Sequence, residues 1–485
     1  MLFTKRLEMN FILGAFGLEL EGISVFLNSR RLVTIFLFLA NGFLAFGQVD
    51  VSSDLETIRN SRNMPGLSAL VVKQGRIIAQ GAAGYRRVGS STPLMVSDPV
   101  NLGSCTKWMT ATIAGRLVDR GLISWNTRVC DLFTNYPAFN VAFTNATLDQ
   151  ILCHRAGIQQ ENTFDTNHWS TFLGKFGTVP QLRRWVADTV LTDAPEVTPG
   201  TYLYANQGYI VAAVMMEIAS GKAWESLVQD EIFTPIRMQS AKLGQVFDNV
   251  VPPKAPVGHD LGVGTNLVPR STLPNNYEFH YKASAGPAGY VSCTLQDWVK
   301  FLHIQATSGI SDYLSPATGS WLQKAYTGAG TEGYGRGIIT YNRSWALPGQ
   351  ALAHGGDIFG EDSLVWMAPA LDFIVVAFAN CSAANSATSL ALNDVATLLV
   401  GRYSASVASG PLLENPQLVS LDAGRNVALG YQTLPGVSYV VEVTTNLLDG
   451  WIPLNGISGQ SATSLVSRYA TTNNAMAAFY RTTVP

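Results

Sequence analysis

Gly103-Ser104-Cys105-Thr106-Lys107 is the stretch from which the rest of this chain is read. Of the ten lysines, Lys107 alone has a serine three residues before it. A serine hydroxyl is a weak nucleophile at neutral pH and needs a base and a positive field beside it; on a helix, residue i+3 shares the face of residue i. Met109, Ile113 and Leu117 recur every four residues after the pair, Val118 widens the stripe and Gly121 supplies a stop. That spacing predicts a helix with one apolar stripe and with Ser104 in its first turn. Free N–H groups and the positive end of the helix dipole there favour an alkoxide or an oxyanion. An isolated S-x-x-K fits a capping serine and a solvated lysine equally well, so the pair has to be read with other motifs.

Two further patterns follow in order. Tyr204-Ala205-Asn206, the only Y-x-N among seventeen tyrosines, lies just before an apolar helical run from Ile210 to Ile218, which makes it a loop at a helix entrance. Ala353-His354-Gly355-Gly356-Asp357 leads into a predicted strand pair, Ser363 to Ala368 and Asp372 to Ala379, and its glycines allow close approach to the backbone. With these three motifs the chain resembles the serine beta-lactamase and penicillin-binding-protein superfamily. The resemblance is greatest to its class C, D-alanyl-D-alanine carboxypeptidase and esterase (peptidase S12-like) branch, which pairs S-x-x-K with Y-x-N and a K-T-G or H-x-G strand. It covers about residues 55 to 400 and is supported by Ala146 to Ile158, Phe233 to Met238 and Pro287-Ala288-Gly289-Tyr290.

The resemblance implies that Ser104 is the acylating nucleophile and Lys107 the cation beside it. Tyr204 would be the general base, as a phenolate favoured by that cation, although the proton route between Lys107 and Tyr204 stays open for such sites. Asn206 would orient Lys107 and the substrate amide, the backbone N–H groups of Ser104 and Asp357 would form the oxyanion hole, and Gly355 and Gly356 would border the substrate. His354 stands where the lactamase pattern has a lysine. An imidazole of ordinary pKa ~6.5 is mostly neutral at neutral pH, so anionic beta-lactams lose an anchor. Arg336, in Gly335-Arg336-Gly337, is a candidate for a substrate carboxylate, with a solvated arginine as the plainer reading.

The expected protein is therefore an exported serine hydrolase that forms an acyl-enzyme with an ester, a D-amino-acid amide or a lactam. The alternatives are a peptidoglycan D-Ala-D-Ala carboxypeptidase, a class C-like beta-lactamase or, from another class, a catalytically silent penicillin-binding or sensor protein. No cofactor is expected. No metal is expected either, because His154 reads as a structural residue of a helix-end turn and neither C-x-x-C nor H-E-x-x-H accompanies it. Cys105 reads as a small buried hydrophobe.

The 485 residues, 47% of them hydrophobic, are enough for more than one domain. Net charge is -2, and charged residues make up 14% of the chain against the ~25% usual in soluble domains; no basic patch points to nucleic acid. Arg30-Arg31 precede the apolar run from Leu32 and a small-x-small end at Ala45 to Gly47, in the order of a signal peptide. The run is shorter than the ~20 residues of a membrane span, though an uncleaved anchor is the alternative. Glu8, Glu19 and Glu21 are foreign to a signal's n-region, so translation is expected to start near residue 25 at a non-Met codon. The product would be periplasmic or secreted, with a small-molecule or peptidoglycan-like acyl substrate. Five widely spaced cysteines do not form a disulfide scaffold.

Leu67 to Val72 and Arg76 to Gly81 read as a strand pair around Lys73-Gln74-Gly75, and residues 388–402 read as a closing helix. The pattern predicts α+β. The resemblance makes it a beta-lactamase/transpeptidase-like antiparallel sheet over residues 48–407, flanked by helices, its first and last elements paired, with a helical insertion carrying Tyr204. From 408 to 485, short alternating runs separated by Gly, Pro and Asn predict a small all-β, sandwich-like module, serving as a spacer or as a contact with polymer or cell surface.

Overall fold

The computed structural model describes residues 48–404, apart from 134–138, 247–250, 263–265, 271–282, 308–312, 327–331 and 383–385, together with the strands between 417 and 483. The expected signal segment, residues 1–47, lies outside the described residues.

The chain enters through β1 (Val49–Asp50) and α1 (Ser52–Arg62), then makes the hairpin β2 (Gly66–Lys73) and β3 (Arg76–Gly84). Gln74 and Gly75 close that hairpin with φ of 51° and 72°, the left-handed pair whose twist matches the flanking strands. β4 (Pro99–Asn101) leads into a 3-10 turn, Gly103–Cys105, and α2 (Thr106–Asp119). A helical region follows with α3 (Leu148–Leu152), α4 (Glu161–Leu173), α5 (Val179–Thr192) and α6 (Asn206–Ser220). Beyond it come β5 (Val291–Thr294), α7 (Leu295–Ala306), β6 (Gly333–Tyr334), β7 (Ile339–Tyr341), β8 (Ala351–Ile358), β9 (Glu361–Ala368), β10 (Phe373–Ala379) and α8 (Ser386–Tyr403).

The main sheet has the order β1-β3-β2-β10-β9-β8-β7-β6 and is antiparallel except where β1 runs beside β3. The first long strand pairs with the last, from Leu67 opposite Ala379 to Lys73 opposite Phe373. Both faces of this centre are covered, so its strands are continuously apolar instead of alternating. Leu70, Val72, Ile374 and Val376 join one core with α2 and α7, while Val71, Ala69, Val375 and Ala377 join another with Leu55 of α1 and Val395 and Leu399 of α8.

The fold departs from the sequence reading in two places. α2 does not carry one apolar stripe: every residue from Thr106 to Gly115 is buried, Lys107 included, because the helix runs through the interior with α6 and the helical segment Gly286–Gly289 against it. His354 to Asp357 do more than lead into a strand pair; they lie within β8, which turns back through Phe359 and Gly360 onto β9. The resemblance already implies an H-x-G strand here; its two glycines and lack of alternation keep periodicity alone from showing it.

The described strands from Gln417 to Thr483 pair antiparallel with one another. The five cysteines, all among the described residues, form no disulfide. No helix among the described residues is long and apolar enough to cross a membrane. Since, among the described residues, the carboxy-terminal strands pair with one another, a chain ending after residue 407 is expected to stay folded and active. A thermal melt with ester hydrolysis checks this; an insoluble or inactive fragment would show a shared core.

Candidate active site

The site begins with two glycines in contact. Gly103 has φ +49°, and a Cβ there would lie 2.6 Å from the carbonyl carbon of Gly356 and 2.7 Å from the amide nitrogen of Asp357. A Cβ on Gly356 would lie 2.0 Å from the Leu102 carbonyl oxygen and 2.9 Å from the Ser104 nitrogen. Only residues without side chains let the 3-10 turn and β8 come this close. The contact sets the amides of Ser104 and Asp357 side by side.

Lys107, one helical turn after Ser104, is 0% exposed. Its Nζ donates to Ser104 Oγ at 3.0 Å, to Asn206 Oδ1 at 2.7 Å and to the Ala288 carbonyl at 2.8 Å. It also lies 4.9 Å from the ring centroid of Tyr204. Burial pushes the ammonium down to about 7, while the charge of Glu161 pulls the other way. Tyr204 hydrogen-bonds the Ser104 side chain, yet burial raises its phenol above the ordinary value. The same desolvation that makes Lys107 easier to deprotonate makes Tyr204 harder. Of the two groups that touch Ser104, the amine is the one able to be neutral near pH 7.

The Y-x-N loop is held by His154, a residue the sequence reading left as structural. Its backbone sits at φ +58°, its carbonyl accepts the Leu203 N–H at 2.9 Å, and its Nδ1 accepts the Ala205 N–H at 3.1 Å. An acceptor at Nδ1 requires a neutral ring, and burial followed by the Lys107 charge keeps the imidazole well below its ordinary pKa. Asn206 opens α6, and its Nδ2 donates to Glu161 Oε2 at 2.8 Å. Glu161, Asn206, Lys107 and Ser104 thus form a chain of three hydrogen bonds. Glu161 carried no sequence signal, since it stands alone at the start of α4.

His354 is 6% exposed and packs towards Tyr334, whose hydroxyl lies 3.0 Å from Nε2. Nδ1 lies 2.6 Å from the Gly355 carbonyl; a carbonyl only accepts, so Nδ1 carries the proton and Nε2 accepts from Tyr334. Burial and the nearby Lys107 push this imidazole down to about 4. Gly355 and Asp357 are exposed and Gly356 is buried. Cys105 is buried, its thiol pushed up to about 12, so it stays protonated. Arg336, expected at a substrate carboxylate, is instead 1% exposed. Its Nε and Nη2 each lie 2.8 Å from an Asp149 oxygen, Nη1 donates to the Trp321 and Lys324 carbonyls, and the guanidinium lies over the Trp321 ring. Those contacts make it a buried bidentate ion pair with Asp149.

Comparisons with known proteins bear on the family and the fold. The model of the beta-lactamase family matches residues 51–398. Penicillin-binding protein 4 of Amycolatopsis lactamdurans is 25% identical over 351 residues, 68% of this chain and 84% of its own. Among solved structures, the octameric penicillin-binding protein homologue from Pyrococcus abyssi has a TM-score of 0.57 at 20% identity, over 87% of this chain and 96% of that one. The D-amino acid amidase from Ochrobactrum anthropi SV3, complexed with L-phenylalanine amide, has a TM-score of 0.54 at 18% identity, over 72% of this chain and 99% of that one. At these identities the solved structures establish a shared fold.

A lysine held at about 7 dictates a pH dependence. Ester hydrolysis is expected to rise with pH through about 7 as Lys107 loses its proton. Glu161→Gln keeps an acceptor for Asn206 but removes the charge that retains that proton, so its half-maximal rate is expected at lower pH. A pH-rate profile of both proteins checks this, and a midpoint unmoved or moved upward contradicts it.

Proposed function

The chain belongs to the beta-lactamase family and is a serine hydrolase of that type, and on that premise we propose that it hydrolyses neutral or amino-bearing acyl substrates, esters and D-amino-acid amides, in preference to anionic beta-lactams. The observation that carries the proposal is the charge around Ser104. His354 is a neutral imidazole locked onto Tyr334, Arg336 is spent on Asp149, and Glu161 adds a negative charge behind Asn206. Nothing on the H-G-G-D strand supplies the permanent cation that an anionic substrate would use.

In this mechanism neutral Lys107 accepts the Ser104 proton as Oγ attacks the acyl carbon. The negative oxygen of the tetrahedral intermediate is held between the Ser104 and Asp357 amides, a preorganised pair that requires no rearrangement as charge develops. Tyr204, kept protonated by burial, donates its hydroxyl proton to the leaving group, and the Lys107 ammonium, which holds the proton taken from Ser104, then returns it to the Tyr204 phenolate beside it. Asn206 keeps Lys107 aimed at Ser104. Water then attacks the acyl-enzyme with Lys107 again accepting the proton. The amidase whose fold this chain shares lends support to an amide substrate.

The test is the ratio of catalytic efficiencies for a neutral short-chain ester, a D-amino-acid amide and a penicillin, with Ser104→Ala as the inactive control. The ester and amide are expected to lead. The ester-to-penicillin ratio is expected to stay flat from pH 8 to 5.5, because His354 takes up a proton only near pH 4. A ratio that swings towards penicillin on acidification would show a cationic His354 and sink the reading.

We further propose that the protein works outside the cytoplasm. Arg30-Arg31 and the apolar run from Leu32 support this. Amino-terminal sequencing of the extracytoplasmic product is expected to begin near Gln48; a product that starts at Met1 would refute cleavage.

A further inference from the structure

Three consecutive side chains at the start of β9, Glu361, Asp362 and Ser363, have no part in the mechanism above. Strand alternation sends Glu361 and Ser363 to one face of the sheet and Asp362 to the other. Glu361 is 0% exposed, and its Oε2 accepts the Asn101 backbone N–H at 3.0 Å and the Asn101 side-chain N–H at 2.8 Å. The Ser363 hydroxyl donates to the Leu102 carbonyl at 2.9 Å. Asn101 and Leu102 run directly into Gly103 and Ser104. The Ser363 hydroxyl also lies 3.4 Å from the Gly356 carbonyl, one residue before Asp357, and from the opposite face the Asp362 carboxyl, 5% exposed, lies by the backbone N–H groups of Ser363 and Gly356. These three side chains therefore grip the two backbone segments whose amides flank the acyl oxygen.

We propose that Glu361, Asp362 and Ser363 form a brace that fixes the separation of the Ser104 and Asp357 amides, positioning residues that act through Asn101, Leu102 and Gly356. The proposal rests on the oxyanion-hole assignment above.

Burial first, and for Asp362 also charge, sets the protonation of the two carboxyls. Asp357 and Asp362 are directly opposed across β8 and β9, where two carboxylates repel. Glu361 Oε1 is buried with no hydrogen-bond partner among the described residues, a poor place for an anion. Both carboxyls are accordingly pushed up to about 8, by burial first and, for Asp362, then by Asp357. The charged or titratable groups that face the brace are Asp357 on β8, itself accepting from the Ser382 hydroxyl, and Cys105 in the 3-10 turn. Neither supplies a cation. Below about pH 8 the brace is neutral; above it, Asp362 becomes an anion opposite Asp357 on one face and Glu361 a buried anion on the other, loosening the paired amides.

Fluorophosphonate labelling of Ser104 in the wild-type protein comes first, because its absence would remove the mechanism and the brace with it. In unlabelled protein whose active-site concentration that labelling has set, Glu361→Leu orphans both Asn101 donors. It is expected to lower kcat for a neutral ester by about 10- to 100-fold, approaching the loss of an oxyanion-hole donor, with KM within about twofold. Glu361→Gln keeps the acceptor and is expected to recover most of that loss. The decisive readout is the alkaline limb. Wild-type kcat is expected to fall above about pH 8, and the double variant E361Q/D362N to hold its rate there. A wild-type kcat for E361L, or an alkaline limb unchanged in E361Q/D362N, would overturn the brace; if E361L does not fold, the double variant decides alone.

Discussion

One buried ammonium organises this site. Lys107 has no solvent contact and divides its hydrogen bonds between the 3-10 turn, the first residue of α6 and the Ala288 carbonyl, so three separate segments converge on a single nitrogen. Lowering its pKa from 10.5 to about 7 means that the interior disfavours the charged form by roughly 5 kcal/mol. The sign is unfavourable for folding. That stability is present above pH 10.5 and is lost as pH falls towards 7, because the unfolded chain binds the proton more readily. The protein accepts a weaker fold at neutral pH in return for an amine that gives and takes a proton there.

The same ammonium sets the state of its neighbours. His154 and His354 are both kept neutral by burial and by the charge of Lys107, and each then uses a ring nitrogen as an acceptor, the first from Ala205 and the second from Tyr334. Neutral imidazoles can accept those hydrogen bonds and imidazolium ions cannot. Glu161 supplies the opposing charge at one remove, through Asn206. The fold is that of the beta-lactamase family; the proposed substrate preference rests on this local balance of charge, since one scaffold serves many acyl-transfer chemistries.

Backbone contacts complete what the charges begin. Gly103 against Gly356 brings two amides together without a side chain between them, and β8 is held in place by the hairpin partner β9 on one side and β7 on the other. A sheet closed by pairing of its first long strand with its last, and covered on both faces, gives those amides a stiff support. Stiffness matters because an oxyanion hole works by being in place before charge develops.

The sequence alone supplied the local pieces. Ser104 with Lys107, and Tyr204 with Asn206, were visible as spacings; the β2–β3 hairpin, the helix at α8 and the alternating runs after residue 408 were visible as periodicity. Spacing and period record local geometry, and local geometry survives into the fold. Tertiary structure decided the rest. It buried Lys107 on every side where one apolar stripe was expected, turned Arg336 onto Asp149 nearly two hundred residues away in sequence, and made a strand of the glycine-bearing segment around His354. It also placed Glu161 behind Asn206 and Glu361 behind Asn101. Desolvation and long-range partners fix the proton on a lysine, a histidine or a carboxyl, and neither is a property of the residues adjacent in the chain.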